Sequence, residues 1–353
     1  MPVYKDEEKK TYYCKFYYKD WQGNLKQHFK RGFSKQSEAK AYERQFLDKV
    51  HANCNMTFKS LVELYLEDCK SRLKATTLDN KTYTINLKIL PYFQNMPINE
   101  ISPAIIRKWQ NELIADEKGY SETYLKTIHN QLSAILNYAV RYYNLRKNQA
   151  AVCGSMGKKN ADTMQFWTRE EFEKFIPAVE DKPTSKTIFE LLFWTGMRSG
   201  ELLALTLNDF DFENKTVSIN KNYARLNFED LILPPKTPKS KRIITIPDFL
   251  CDIVEEYSQK LYDYDRDDRL FTVTKFYLTH EMIRGCKKSG IKRIRIHDLR
   301  HSHASLLIEL GFSPLLIAER LGHEKVETTL QIYSHLYPNK HSEVAAKLEE
   351  LNK

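Results

Sequence analysis

The segment His297-Asp298-Leu299-Arg300-His301-Ser302-His303 gathers three imidazoles, a carboxylate and a guanidinium into seven residues, the densest set of reactive side chains in the chain. Two chemistries fit it. His297 and His301 are four apart, the spacing at which one helical face presents two zinc ligands in H-E-x-x-H, but Asp298 is one methylene short of that motif's base and Arg300 would set a cation beside the metal. Alternatively His297 and Arg300, three apart on one helical face, pair a proton-transfer group with an oxyanion clamp. Thr195-Gly196 breaks an earlier helix and Met197-Arg198-Ser199-Gly200-Glu201 starts another, so Arg198 falls near a helix N-terminus where N–H groups and a guanidinium can share an anionic oxygen. Glu201, one turn later, is placed to orient it, although such a pair on its own is equally a structural salt bridge. Lys236, Lys239 and Lys241 lie on the turn expected between strands 231–233 and 243–246, where a flexible ammonium can enter a groove or protonate a leaving oxygen. Ser313-Pro314 opens a helix that ends at Leu321-Gly322-His323, and Thr328 to His335 then brings in the phenol of Tyr333.

In order and spacing these residues resemble the active site of the tyrosine recombinases, the phage-integrase family. The motifs are T-G-x-R-x-x-E at 195–201, H-x-L-R at 297–300, L-G-H at 321–323 and T-T-x-x-x-Y at 328–333. The resemblance implies a catalytic set of Arg198, Lys239, His297, Arg300, His323 and Tyr333, with Glu201 in support. Lys239 is chosen because the family lysine commonly sits eight residues before the proline that ends the next strand, here Pro247, and Lys236 is the neighbouring alternative. A phenol of pKa about 10 needs a base and a charge-neutralised phosphate before it attacks at neutral pH. Arg198 and Arg300 then hold the non-bridging oxygens, His323 adds a hydrogen bond, His297 takes the phenol proton and Lys239 protonates the departing 5′-oxygen. The product is a 3′-phosphotyrosyl link that conserves the phosphodiester's energy, so no ATP, cofactor or metal is implied; two cations do the work of metal ions.

These groups need elements to position them, and the implied fold is multidomain, mainly α with small β-sheets. Residues 11–18 and 25–33 flank Gly23-Asn24 as strands, and Ala41, Tyr42, Phe46, Leu47 and Val50 have helical spacing. A three-stranded sheet with one helix is therefore expected over 1–52, resembling the arm-type DNA-binding domain, with Lys15, Lys19, Lys26, Lys30 and Arg31 as candidate DNA contacts. Thr57 reads as an N-cap before the stripe Phe58, Leu61, Val62, Tyr65, Leu66 and Cys69. Similar stripes at 102–115 and 121–143, with Leu87, Leu90 and Phe93 between, make 56–150 an all-helical, SAM-like core-binding domain. Polar residues 146–160 read as a linker, bounded at 151–164; its Gly154-to-Lys159 run lacks the spacing and the Ser or Thr of a phosphate-binding loop. A mixed α/β catalytic domain of the tyrosine-recombinase type follows at 165–340. The tail, 341–353, carries a short helix with Val344, Ala345, Leu348 and Leu351 apolar, which either docks on its own core or, as the resemblance implies, on a neighbouring subunit.

Composition agrees. The chain of 353 residues is 42% hydrophobic and 29% charged, which excludes wholesale disorder and suits two or three domains. Its apolar runs fall far short of the ~20 residues of a membrane span, the N-terminus reads as no signal sequence, and six scattered cysteines form no metal pair or disulfide framework. The expected location is the cytoplasm, on the nucleoid when DNA is bound. Fifty-five basic against forty-six acidic residues give a net charge of +9, concentrated in residues 1–50, 236–242 and 284–300. That distribution fits a polyanion held at several points. The function implied is a site-specific integrase of a phage or other mobile element, a homotetramer on double-stranded attachment sites, helped by an excisionase and a host DNA-bending protein. The alternatives are a type IB-like topoisomerase, a non-catalytic DNA-binding regulator on the same scaffold, and a zinc hydrolase built on His297 and His301.

Overall fold

The computed structural model describes residues 3–6, 9–19, 25–52, 56–158, 165–235, 237–333 and 349. Within it, β1 (Val3–Asp6), β2 (Thr11–Lys19) and β3 (Leu25–Phe33) form an antiparallel sheet in that order, followed by α1 (Gln36–Ala52). Alternation along β2 turns Cys14 and Phe16 into the core beneath α1, where Phe16 packs edge-on against Phe46 and His28 stacks on the same ring at 3.9 Å. The opposite face stays open and carries Tyr13, Lys15 and Tyr17 beside Arg31, Phe29 and Gln27. Gly32, at φ +93°, is the extra residue of a bulge between the pairs Tyr12–Phe33 and Tyr13–Arg31.

The helical segment comprises α2 (Phe58–Lys70), α3 (Ala75–Thr84), α4 (Leu90–Phe93), α5 (Pro103–Ile114), α6 (Glu122–Tyr142) and α7 (Gln149–Cys153). Thr57, Ser102 and Ser121 cap α2, α5 and α6 by accepting from the N–H three residues on. Two expectations change here. A π-helical turn, Ile85–Ile89, joins α3 to α4 and rotates the stripe, so Ile85, Ile89 and Phe93 are buried while Leu87 is exposed. The start of the expected linker is folded: Asn148 caps α7, Ala150 and Met156 enter the helical core, and Gln110 donates to the carbonyl of Gly154 at 2.9 Å. Gly157 lies against the Glu122 backbone so closely that no Cβ would fit, so the glycine-rich run is a packing turn.

The second unit begins at Thr163. Its helices are α8 (Arg169–Phe175), α9 (Pro183–Thr195), α10 (Ser199–Leu202), α11 (Asp248–Ser258), α12 (Lys275–Ser289), α13 (Asp298–Glu309), α14 (Pro314–Leu321) and α15 (Val326–Tyr333). Its strands are β4 (Phe210–Asp211), β5 (Thr216–Ile219), β6 (Asn222–Leu226), β7 (Glu229–Leu233) and β8 (Arg242–Thr245). Helix α9 is the axis of the core, with Ile188, Phe189, Leu191, Leu192 and Phe193 all buried. The strands form two sheets, β4-β5-β8 and the hairpin β6-β7. Because β8 pairs with β5, Lys239 sits not on a hairpin tip between β7 and β8 but on a 3-10 turn, Pro238–Ser240, of the connection between the two sheets.

Candidate active site

Helix α9 ends because Gly196 takes a left-handed conformation, φ +65°, and Thr195 turns its hydroxyl back to the Leu191 carbonyl at 2.5 Å. The chain then re-enters α10 with Arg198 at the N-cap. The Arg198 N–H donates to Glu201 Oε2 at 2.9 Å, and its guanidinium Nη1 donates to Glu201 Oε1 at 2.6 Å. Glu201 is buried and also receives Arg242 Nη2 at 3.1 Å. Burial pushes its carboxyl pKa up, but Arg242 and then Arg198 outweigh this and hold it below the usual carboxylate value. Glu201 is therefore the anion that fixes both arginines.

Arg300 is buried on α13 and tied by its Nη1 to the Gly196 carbonyl at 3.0 Å and by its Nη2 to the Leu321 carbonyl at 2.6 Å. These bonds join the T-G-x-R turn to the end of α14 and engage two of the guanidinium's five N–H groups. Burial, reinforced by the charge of Arg198, pushes the Arg300 pKa down to about 9. It remains a cation at neutral pH, short of compensating charge. Arg198, Arg242 and Arg300 are opposed chiefly by Glu201, since Asp298 is paired with Arg295, and such an excess in a low-dielectric site favours an anion.

His297 precedes α13 and His323 follows α14. Burial first, and Arg300 second, lower the pKa of both, His323 to about 3, so both imidazoles are neutral at pH 7. His323 Nδ1 is within 2.8 Å of Thr329 Oγ1. Tyr333 closes α15, fully buried in a small cluster of its own with Ala304, Ile308, Ile317 and Leu321. Burial raises its phenol pKa above the usual value, with Arg300 opposing. Arg300 thus acts electrically on His297, His323 and Tyr333 and is itself affected by Arg198, so five of the six expected residues share one site.

Lys239, the sixth, is exposed on its turn. The neighbouring Ser240 Oγ accepts from Arg198 Nη1 at 3.4 Å, and the Lys239 carbonyl lies 3.1 Å from where a Cβ on Gly322 would stand. Its backbone therefore borders both the Arg198 turn and the His323 loop. Lys236 and the tail helix at 343–351, apart from Glu349, lie outside the described residues. On the N-terminal sheet, Lys15 and Arg31 occupy the open face. Lys30 is turned to the helix side, its Nζ 4.5 Å from the centre of the Tyr42 ring, and Lys26 shares that face by register; the Lys19 side chain is outside the described residues.

Two residues escaped the reading of motifs. Arg242, part of the basic run 236–242, has a side chain only 7% exposed; it donates to Glu201, to the Arg320 carbonyl at 2.8 Å and to the Ser240 carbonyl at 3.0 Å. His301, weighed only as a zinc ligand, has its Nδ1 2.6 Å from Tyr333 Oη. Its ring is perpendicular to that of His297 at 5.2 Å, and among the described residues no three His, Cys, Asp or Glu side chains gather as a metal would need. The described residues also include no helix long and apolar enough to cross a membrane.

Three family models match the chain: the phage integrase family over residues 165–340, the phage integrase N-terminal SAM-like domain over 57–114, and an arm DNA-binding domain over 2–50. The ICEBs1 integrase of Bacillus subtilis is 32% identical over 330 residues, covering 89% of this chain and 88% of its own length. The integrase of Staphylococcus phage L54a is 28% identical, covering 84% of this chain and 93% of its own. Among solved structures, the Tn1549 transposon integrase in complex with a circular intermediate DNA aligns over 84% of this chain and 99% of its own, with a TM-score of 0.69 at 20% identity. A lambda integrase dimer bound to a core site aligns over 94% and 93%, with a TM-score of 0.62 at 18% identity.

Proposed function

The chain belongs to the phage integrase family of tyrosine recombinases, and from that premise we propose that it cuts and rejoins DNA through a 3′-phosphotyrosyl bond to Tyr333. It is a site-specific integrase of a mobile element, and its partner is double-stranded DNA. The observation that carries the mechanism is the convergence on Arg300 of Arg198, His297, His323 and the buried phenol of Tyr333.

A phosphodiester entering this site meets two guanidinium groups whose positions are already fixed. Arg198 is held by Glu201, and Arg300 by two carbonyls. Little reorganisation is needed when charge builds on the phosphoryl oxygens, which is where fixed donors in a dry site contribute most. His297 and His323, neutral before DNA binds, add hydrogen bonds to the same oxygens. Tyr333 Oη attacks phosphorus as the bond to the 5′-oxygen breaks, and Lys239 on its exposed turn protonates the departing oxygen. Rejoining runs the sequence backwards with a 5′-hydroxyl as nucleophile.

The division of labour we infer places the arm-type sheet, residues 1–52, on arm sites and the helical and catalytic segments on the core site. The arm DNA-binding match over 2–50 and the lambda integrase dimer bound to a core site support this reading, as does the pairing of Lys15 and Arg31 with Tyr13 and Phe29 on one open face. Assembly is as a homotetramer on two core sites, with direction set by an excisionase and a host DNA-bending protein. A suicide substrate nicked next to the scissile phosphate tests the chemistry. The wild-type chain forms a covalent adduct and Tyr333→Phe does not; an undiminished adduct in the variant refutes the assignment. Relaxation of supercoils without exchange between two sites would instead favour a topoisomerase.

A further inference from the structure

The nucleophile already has a partner. Tyr333 Oη and His301 Nδ1 are 2.6 Å apart, at the short end for an O–H donor. The other imidazoles near it are differently employed: His323 Nδ1 meets Thr329, and His303 Nε2 accepts from Arg320 at 3.1 Å. His297, the base expected from the sequence, stands edge-to-face against His301. The direction of the proton in the short bond follows from the surroundings. Burial, then His297, pushes the His301 pKa down to about 4, while burial raises that of the phenol. His301 is therefore neutral at pH 7 and the phenol keeps its proton, so the hydroxyl donates and Nδ1 accepts.

Resting on the reading of Tyr333 as the nucleophile, we infer that His301 is a further catalytic residue, which aligns the phenol through Nδ1 and takes its proton as the tyrosyl–phosphate bond forms. An oxygen lone pair of Oη makes the bond to phosphorus, the P–O5′ pair leaves with the 5′-oxygen, the phenol proton moves to Nδ1, and a separate acid, Lys239, supplies the 5′-hydroxyl proton. On rejoining, the His301 imidazolium returns its proton to Oη. Without DNA that imidazolium would stand among cations. The groups that face it are His297, Asp298, Arg300 and Arg295 on and just before α13, Tyr333 on α15, and His323 after α14. A phosphodiester anion held at Arg300 removes that penalty, so DNA binding itself makes His301 a competent base. The free enzyme keeps its phenol protonated and buried.

The test uses the full-length chain in single-turnover cleavage of the nicked suicide substrate from pH 5.5 to 9, with Tyr333→Phe as control. His301→Asn places an amide near the Nδ1 position, so the phenol stays hydrogen-bonded but its proton has nowhere to go. His301→Ala removes both functions. Cleavage is expected to fall roughly 10²- to 10⁴-fold in each, with DNA binding and the melting temperature of His301→Asn close to wild type. The rise of rate with pH through the imidazole range is expected to vanish in His301→Asn. A substrate with sulfur as the bridging 5′ atom, which needs no leaving-group acid, should rescue Lys239→Ala and leave both His301 variants slow. Cleavage by His301→Asn and His301→Ala within about threefold of wild type, with the same pH profile, would overturn the proposal, and faster cleavage would show the bond to be a resting latch. An adduct that persists in Tyr333→Phe would instead refute the underlying assignment, whatever the His301 variants do.

Discussion

Replacing Arg242 by Met would test whether one buried side chain holds the catalytic segments in register. Arg242 joins three of them: Glu201 of the Arg198 turn, the Ser240 carbonyl of the lysine turn, and the Arg320 carbonyl one turn before His323. Met fills much of the volume but leaves the buried Glu201 with Arg198 alone. Removing one partner of a buried ion pair costs about 3–5 kcal/mol, and the two carbonyls add to this to the extent that water fails to reach them. At roughly 2–4 °C per kcal/mol for a domain of this size, melting should fall by about 6–20 °C. The pH dependence identifies the cause. The folded-state pKa of Glu201 lies below its unfolded value near 4.5, so its stabilisation is present above that pH and is lost as pH falls through the folded value. Without Arg242 the burial effect, which raises the pKa, is opposed only by Arg198. The gap in melting temperature between wild type and Arg242→Met should therefore be largest near pH 7 and narrow below about pH 4.5. Calorimetric scans from pH 7 to pH 4, with circular dichroism to confirm folding, measure it. An unchanged melting temperature at pH 7, or a gap that stays constant down to pH 4, would refute the role given to the Glu201 contact.

Two further outcomes follow from the geometry. Gly196→Ala places a Cβ 2.6 Å from His303 Cδ2 in a left-handed conformation, and His303 is fully buried, so the variant should melt several degrees lower and cleave more slowly because the Gly196 carbonyl anchors Arg300; thermal scans and adduct formation report both. Lys15→Ala and Arg31→Ala should each weaken arm-site binding and reduce the log–log salt slope by about 1, with cleavage of a short core substrate unchanged. Lys30→Ala should do so less, because its ammonium sits over the Tyr42 ring on the other face; equal effects from all three in binding titrations would contradict the assignment of faces.

That Arg198, His297, Arg300, His323 and Tyr333 come together was legible because each sits in a short contiguous motif whose geometry is local: a helix break before Arg198, a single helical face for His297 and Arg300, a helix end at His323. The domain order was legible because hydrophobic period and charge change together along the chain. Other features depended on contacts between distant segments. Strand β8 joins β5 across the β6-β7 hairpin, which moved Lys239 off an expected hairpin tip, and the π-turn at Ile85–Ile89 rotated a stripe that an ideal helical period would place on Leu87. The linker looked polar because α7 contributes few apolar side chains to a core that α5 and α6 already enclose. The separation of Lys30 from Arg31 was legible too, since adjacent residues in a strand lie on opposite faces unless a bulge intervenes, and here the bulge falls at Gly32, beyond both.

Arg242 and His301 show why such residues are missed. Nothing in a run of lysines and arginines marks the one that turns inward, and nothing in H-D-L-R-H marks the second histidine as the nucleophile's neighbour, because the partner arrives 32 positions later on a separate helix. Both roles arise from the convergence of charge on a small volume. Burial first, and the neighbouring cationic and imidazole groups after it, depress the pKa of His297, His301 and His323 and of Arg300 itself, and a bound phosphodiester relieves the charged part of that strain. The surplus of positive charge at Arg300 that prepares the site for DNA adds to burial in holding His301 neutral until DNA arrives, so affinity for the phosphate and activation of the phenol share an electrostatic contribution. Weakening the surplus at Arg242 should therefore lower phosphate affinity and, at the same time, reduce the shift in the His301 titration on DNA binding. Imidazole NMR titrations with and without an uncleavable core site in the Tyr333→Phe background would measure that shift, and an Arg242→Met variant that bound DNA more weakly while its His301 titration moved as far as in the parent would break the link.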